Sequence, residues 1–227
     1  PTAAFAPGLA VAIPWVAGAA FTLNPLGDEG SVLPLTLTSP IAGRTYFRGL
    51  VRPGVVIGWL ALPAVPILAL ATDYAPADAA LMLGVAAFGI PAVTAVAAGI
   101  GMLFPRTDAV RVARGREATP PALTAMVLYS VCVGLAVGLP VAAGLAPAAV
   151  RAVAAALVGG LLAFPFAYVG GPLTGVAEAL GSLGQSIAGL DTAVVQWGGL
   201  LVPVALGVVF ALVSVRFAAR YFEQYTL

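Results

Sequence analysis

The side chains of this chain that could bind a ligand or a partner are few, and most of the positive ones lie in two short segments. All ten basic residues are arginines, and histidine is absent. Seven of the arginines stand at positions 44, 48 and 52 in the first segment and at positions 106, 111, 114 and 116 in the second. The first three recur at every fourth residue, so a helix would place them on one face. Arginine binds phosphate and carboxylate groups, and the pattern therefore indicates contact surfaces.

Catalysis finds little support among the residue types present. The chain has neither lysine nor histidine, which removes a Walker A loop, a Schiff base and most metal or general-base sites. Ser182, Ser186 and Asp191 come closest to a catalytic cluster, and they are weak support for an intramembrane enzyme. We therefore expect no enzyme activity, no catalytic residue, no cofactor and no metal site.

The elements that position these residues are long apolar runs. Hydrophobic residues make up 61% of the chain and charged residues only 8%, and the mean hydropathy is +1.07. Soluble domains carry about 25% charged residues. Runs of roughly 20 residues are long enough to cross a hydrocarbon core of about 30 Å. Because backbone groups in lipid must satisfy their own hydrogen bonds, these runs are predicted to be helical despite 27 glycines and 19 prolines.

The sequence therefore predicts an all-α integral membrane protein, a polytopic helical bundle with about five to seven membrane helices. We interpret residues 1–227 as a single transmembrane domain and as the C-terminal part of a longer protein. The predicted spans are approximately 2–21, 55–72, 79–104, 122–145, 148–169 and 195–215.

The arginines predict which side of the membrane the loops face. Basic residues near the ends of membrane helices are retained in the cytoplasm, so loops 24–53 and 105–121 are both predicted to be cytoplasmic. The connection between the second and third spans carries Asp73 and Asp78 and no basic residue, as expected for the opposite side. Arg216 and Arg220 place the C-terminus in the cytoplasm. The expected location is the cell membrane, with a multi-pass topology.

A cytoplasmic C-terminus requires the chain to return to the outer side before the last span. The break at Gly170-Gly171-Pro172 predicts that residues 148–190 form a helical hairpin, which either crosses fully or is re-entrant. Six crossings with an external C-terminus are the alternative. Glu178, in the returning leg, is the one candidate for an ion-coupling carboxylate, although a solvated position at the outer surface is the preferred explanation for it.

Two loops carry recognisable patterns. The first reads Asn24-Pro25-Leu26-Gly27-Asp28-Glu29-Gly30, followed by an apolar stretch and by Ser39-Pro40-Ile41. The second reads Gly101-Met102-Leu103-Phe104-Pro105-Arg106-Thr107-Asp108 and closes with Pro120-Pro121. An apolar stretch beside an acidic turn and a basic row suits a segment lying in the membrane interface. It equally suits a surface that binds a cytoplasmic protein.

Over residues 19–122 the chain resembles the permease subunits of ABC-2 type exporters. The family pattern Asn-x-x-Gly-x-Asp/Glu-Gly, a hydrophobic stretch and Ser-Pro-Ile is matched by residues 24–41, and Gly-x-x-Phe-Pro-Arg-x-acid is matched by residues 101–108. The chain departs from the family at Leu50, where a lysine is common, and in the glycine-rich hairpin after Pro172.

The resemblance implies a permease that has no catalytic residues and moves its substrate by rearranging helices. The implied partners are a separate ABC ATP-binding subunit, a second permease half or a second copy of this chain, and membrane lipids, without nucleic acid. The two loops would relay ATPase closure. The implied ATPase contacts are Asp28, Glu29, Arg44, Arg48, Arg106, Asp108 and Arg111.

Two other functions remain open from the residues alone. One is a structural or assembly subunit that anchors a complex, and the other is a secondary transporter. A polar path between helices would favour transport, and its candidate residues are Thr94, Thr124, Tyr129, Ser130 and Tyr168. A secondary transporter usually needs an ionisable side chain at mid-membrane, and the predicted spans are nearly empty of such groups.

Overall fold

Helices account for almost all of the regular structure. The computed structural model describes residues 4–111 and 117–224. Within these ranges, six helices are long and apolar enough to cross a membrane. They are Phe5–Thr22, Gly43–Ala71, Pro76–Leu103, Leu123–Leu145, Pro147–Val169 and Thr192–Gln224. The predicted fold class is confirmed: the chain is an all-α, polytopic membrane protein.

The chain divides into two compact units. The first unit comprises Pro1–Gly138 and Pro203–Leu227, and the second comprises Leu139–Val202. The elements that lie within the first unit are α1 (Phe5–Thr22), α2 (Pro25–Glu29), α3 (Leu33–Thr38), α4 (Gly43–Ala61), α5 (Ala64–Ala71), α6 (Pro76–Leu103), β1 (Val110–Arg111), β2 (Glu117–Ala118) and α7 (Leu123–Val133). Those of the second unit are α8 (Leu139–Leu145), α9 (Pro147–Ala156), α10 (Phe164–Val169) and α11 (Thr174–Ala188). Helix α12 (Thr192–Gln224) contributes its first part to the second unit and its last part to the first.

Helix α6 is the centre of the first unit. Every residue from Ala92 to Met102 is buried, which is what a helix that is apolar on all sides requires. Helices α1, α4 and α7 pack against it, and the last part of α12 approaches it where Ser214 meets Gly99. Small residues allow this packing: a Cβ on Gly54 would press on the carbonyl oxygen of Ala17, and one on Gly58 would lie 2.9 Å from Ile90 Cγ2.

Helix α4 begins well before the predicted span 55–72. It starts at Gly43 and, with α5, forms a helical stretch that reaches Ala71. Its first three turns are amphipathic, because Gly43, Phe47 and Gly54 are buried while the arginines between them are exposed. A search for unbroken apolarity misses these turns, although their buried face is closely packed: a Cβ on Gly43 would lie 2.5 Å from the carbonyl oxygen of Ala219.

A tryptophan on α4 compensates for a proline in α6. Pro91 has no backbone N–H, so it cannot bond the carbonyl of Ala87 one turn earlier. Trp59 Nε1 donates a hydrogen bond to this oxygen over 3.1 Å. An unpaired carbonyl in lipid costs several kcal/mol by order of magnitude, so Trp59 stabilises the proline-containing turn of α6.

Replacing Trp59 by Phe removes this donor and leaves the Ala87 carbonyl without its partner. We expect the free energy of unfolding to fall by about 1 kcal/mol, measured by denaturant titration of the protein in detergent. Trp197→Phe is a matched control, because Trp197 is 59% exposed against 52% for Trp59 and donates no hydrogen bond to any described residue. Equal losses in the two variants would contradict the assigned role of Trp59.

The second unit contains the helical hairpin predicted at residues 148–190. Its first leg runs from Pro147 to Val169, and the chain turns at Gly170 and Gly171, whose φ angles are +69° and +60°. The legs pack closely enough that a Cβ on Gly184 would lie 2.6 Å from the Cα of Gly159. Helix α11, the returning leg, has 15 residues and is therefore about 22 Å long. That length is shorter than a hydrocarbon core of about 30 Å, whereas the first leg, with 23 residues, is long enough to cross.

Arg151 closes the open end of this hairpin. Its Nη1 donates a hydrogen bond of 2.8 Å to the carbonyl oxygen of Leu190. The side chain is partly exposed and carries its charge near the start of the first leg. This structural role accounts for the ionisable residue that lies inside an apolar run.

Candidate functional site

The first loop folds into a compact helical segment. Asn24 precedes α2, Pro25 occupies the first helical position, and Gly30 ends the helix with a φ of +53°. A 3₁₀ turn at Gly30–Val32 then leads into α3. We refer to Pro25–Thr38 as the loop-1 segment. Its apolar residues Leu26 and Leu33 are buried, whereas Leu35 is 73% exposed.

Asn24 joins the two loops. Its side chain is 1% exposed, and its Nδ2 donates to the carbonyl oxygens of Arg106 and Thr119 over 3.0 and 3.1 Å. Its Oδ1 accepts a hydrogen bond of 3.1 Å from the backbone N–H of Arg106. One amide therefore ties the end of α1 to both ends of the second loop, which are 82 and 95 residues away. We call this arrangement the Asn24 joint.

Two glycines make the joint sterically feasible. A Cβ on Gly27 would collide with the carbonyl oxygen of Arg106 and with the Asn24 side chain. A Cβ on Gly101 would lie 2.6 Å from both the carbonyl oxygen of Leu23 and Cδ of Pro25. The same steric requirement explains the glycines of both sequence patterns. Where the two patterns meet, there is no room for a Cβ atom.

Glu29 is bonded inside the fold. Its Oε1 accepts from the hydroxyl of Tyr46 and its Oε2 from the hydroxyl of Thr36, each over 2.9 Å. The Tyr46 ring stacks on Phe222 with 4.6 Å between centroids. Glu29 therefore links the loop-1 segment to α4 and, through Tyr46, to the last part of α12. The sequence patterns did not indicate Tyr46 or Phe222, because their contacts connect distant parts of the chain.

Asp28 is the carboxylate of this segment that faces outward. The residue is exposed, yet desolvation by its partly buried position, and to a smaller extent the negative charge of Glu29, raise the pKa of its carboxyl above the ordinary value. Asp28 and Glu29 are adjacent on the five-residue helix α2. Together they form a small negatively charged site that a cationic partner would neutralise.

An apolar cluster lies beneath the loop-1 segment. Its buried members are Leu26, Leu33, Phe47, Ala98, Met102, Ala218, Ala219 and Phe222. They come from the loop-1 segment, α4, α6 and α12. A polar contact closes the cluster, since the backbone N–H of Gly43 donates to Glu223 Oε1 over 3.2 Å. The end of α12 thereby caps the start of α4 with a negative charge, which suits a helix N-terminus.

The predicted contact residues occupy the same end of the first unit. Arg44 and Arg48 are exposed on α4, and Asp108 is exposed in the second loop. Arg106 takes part in the joint through its backbone only, and its side chain is half-exposed. Arg111 lies in β1, but its side chain, like residues 114 and 116, falls outside the described part of the chain. Both loops thus meet at one end, in agreement with the shared side that the arginines predict.

Comparisons with known proteins do not assign this site. No family model matches the chain, and neither a curated protein nor a solved structure is similar to it.

Proposed function

We propose that this chain is a membrane-spanning permease subunit of an ABC-2 type exporter. The proposal rests on the resemblance of residues 19–122 to that family and on the way the two resembling loops fit together. It gives the chain a separate ABC ATP-binding subunit as its source of energy and a second permease half or a second copy as its membrane partner. The chain itself supplies no catalytic residue, cofactor or metal site in this proposal.

The Asn24 joint is the observation that carries the proposal. A permease driven by a separate ATPase needs a surface whose movement is transmitted to several membrane helices at once. The joint and the apolar cluster connect the loop-1 segment and the second loop to α1, α4, α6 and α12. A force applied to the loops therefore acts on four helices as a unit, because packed side chains and buried hydrogen bonds resist independent sliding.

The docking surface in this proposal consists of the exposed parts of both loops. Its charged residues are Asp28, Arg44, Arg106 and Asp108, and its apolar residue is the exposed Leu35. Mixed charges around an apolar contact are usual for a protein interface. On this proposal the loops and the C-terminus face the cytoplasm of a cell membrane, because Arg216 and Arg220 lie near the end of α12.

Charge reversal tests this docking surface. The double variant Asp28→Arg with Arg106→Glu changes both charges but leaves the Asn24 joint intact, because Arg106 contributes only backbone atoms to it. We expect a co-expressed ABC ATP-binding subunit to co-purify with the wild-type protein and to be lost, by about tenfold or more, from the variant. Export should fall in parallel.

Glu178→Arg is the control for this experiment. It reverses an exposed charge on α11 and should leave co-purification unchanged. If the double variant retains both the ATP-binding subunit and export, the assignment of these loops to ATPase docking is wrong.

A structural or assembly subunit is the second candidate, and one observation favours it. The polar side chains buried in the first unit are bonded to backbone carbonyls: Thr94 Oγ1 donates to Ile90 O within α6 over 2.7 Å, and Tyr129 OH donates to Trp15 O of α1 over 3.0 Å. Every buried side-chain N or O among the described residues has a hydrogen-bond partner. A transport path would therefore run along exposed helix faces shared with a second permease half. Export of any substrate by reconstituted protein with its ATPase separates the two candidates.

A secondary transporter is less well supported. Glu178, the candidate coupling carboxylate, lies exposed on α11. Thr124 and Tyr168, which could line a polar path, are exposed as well, and Tyr168 stacks on Phe164. Ion-gradient-driven uptake by the chain alone, without an ATP-binding subunit, would favour this function over the proposed one.

A further inference from the structure

Two arginines lie on the outward-facing side of α4, at the flank of the first unit. Arg48 and Arg52 are one helical turn apart on α4, and both are exposed. We call this pair the lateral arginine pair. It does not form part of the Asn24 joint or of the apolar cluster.

The packing of α4 against α6 fixes the position of this pair along the axis of α6. Gly54 lies against Thr94, and Gly58 lies against Ile90. The two helices are therefore antiparallel, and four residues along α4 correspond to four residues along α6. In this register Arg52 is level with Val96 and Arg48 with Ile100. Helix α6 ends at Leu103. Arg52 is therefore about 10 Å inside the end of α6, at a rise of about 1.5 Å per residue.

The lateral arginine pair lies on a face that continues as an apolar, outward surface. Successive residues of a helix turn by about 100°, which places Arg48 and Arg52 away from the buried Phe47, Gly54 and Gly58. One and two turns beyond Arg52, the same side of α4 presents Val56 and Leu60. These residues are 54% and 75% exposed. In a membrane helix an exposed valine and leucine face acyl chains, so the arginines stand where that surface reaches the headgroups.

The pair has no anionic partner within the described part of the chain. Glu29 is bonded to Tyr46 and Thr36, and Glu223 is bonded to the N–H of Gly43. No ion pair of Arg48 or Arg52 with a described carboxylate is formed. Two guanidinium groups beside an apolar surface need an external anion, and arginine binds phosphate oxygens in a bidentate manner.

We propose that Arg48 and Arg52 together bind the phosphate of an anionic phospholipid against the side of α4. The two side chains approach the headgroup from successive turns, and the acyl chains lie along Val56 and Leu60. Two positive charges against one lipid select a headgroup with net negative charge over a zwitterionic one. The proposal gives Arg48 a lipid as its partner in place of the ATP-binding subunit, and it does not depend on the proposed transport function.

Lipid retention by the purified full chain tests the proposal. The protein is exchanged into mixed micelles that contain phosphatidylglycerol and phosphatidylcholine in equal amounts, and native mass spectrometry counts the lipids that remain bound. We expect the wild type to retain phosphatidylglycerol preferentially. Each basic residue near a membrane surface contributes about fivefold to the binding of anionic lipid. The double variant Arg48→Gln with Arg52→Gln should therefore lose roughly 25-fold of this preference.

Two further arms make the outcome specific. The double variant Arg48→Lys with Arg52→Lys keeps the charge and should keep most of the preference for phosphatidylglycerol. Excess inorganic phosphate should not displace the lipid from the wild type, because the acyl chains contribute to its binding. Equal retention of phosphatidylglycerol by the wild type and the glutamine variant would overturn the proposal, provided that both elute as monodisperse protein. Displacement by phosphate would also overturn it, in favour of a free-anion site.

Failure of this proposal is distinguishable from failure of the proposed function. The glutamine variant should still co-purify with the ATP-binding subunit, since the pair lies on the side of the first unit. Loss of the ATP-binding subunit together with unchanged lipid retention would overturn the lipid assignment and place Arg48 and Arg52 in the docking surface.

Discussion

Asn24→Ala is expected to destabilise the protein more than any other single removal of a polar side chain. The change leaves the N–H and C=O of Arg106 and the C=O of Thr119 without their buried partner. An unsatisfied buried group costs about 1–3 kcal/mol. We expect a loss of about 3 kcal/mol in the free energy of unfolding, since part of the cost is relieved where water reaches the loops. Denaturant titration in detergent, followed by tryptophan fluorescence, measures this loss.

Thr38→Ala provides the comparison for Asn24→Ala. The Thr38 hydroxyl bonds Pro34 within its own short helix over 2.9 Å, and the residue is exposed, so its removal should change stability by less than about 0.5 kcal/mol. Under the proposed function, Asn24→Ala should also uncouple the exporter, with ATP hydrolysis retained and export reduced. A variant at position 24 that unfolds at the wild-type denaturant concentration would contradict the joint.

Gly101→Ala is expected to have the second large effect, because the added methyl group meets backbone and ring atoms that cannot rotate away. Its Cβ would lie 2.6 Å from the carbonyl oxygen of Leu23 and from Cδ of Pro25. Relief requires α6 to separate from the start of the loop-1 segment. We expect a loss of about 2–3 kcal/mol in the free energy of unfolding, the range for overpacked sites, measured by the same titration.

Gly84→Ala is the matched control in the same helix. A Cβ at Gly84 meets no atom of the described residues within 4 Å apart from its own helix and chain neighbours, so the substitution should be neutral or stabilising by up to about 1 kcal/mol. If Gly84→Ala destabilises as much as Gly101→Ala, the effect belongs to α6 in general and the close approach at Gly101 is not its cause.

The two large effects should not add. The end of α6 at Gly101 packs against Leu23 and Pro25, and Asn24 between them bonds the second loop, so either variant already loosens the contact that the other breaks. In a double-mutant cycle we expect the combined loss to fall short of the sum by about 1 kcal/mol or more. Full additivity would indicate that the two residues stabilise separate parts of the fold.

The fold class could be predicted from composition alone, because a chain with 8% charged residues cannot cover a core of this apolarity with a hydrated surface. The hairpin could be predicted from Gly170-Gly171-Pro172, since two glycines at positive φ and a proline form a local break. The spacing of Arg44, Arg48 and Arg52 indicated a helix, but not that this helix starts at Gly43 and continues into the span predicted at 55–72. Its first turns bury only glycine and Phe47, so hydrophobicity along the sequence does not mark them.

The sequence by itself determined that this chain is a helical membrane protein and that seven of its ten arginines lie in two short segments. These properties follow from residue type and local spacing, which act within a few turns of a helix. Only the tertiary structure decided that the two loops form one joint, that Glu29 is bonded to Tyr46, and that Trp59 partners a carbonyl freed by Pro91. These contacts join residues 17 to 95 positions apart, and their partners are backbone groups or a tyrosine hydroxyl, which many sequences share. Their identity therefore depends on how the helices pack.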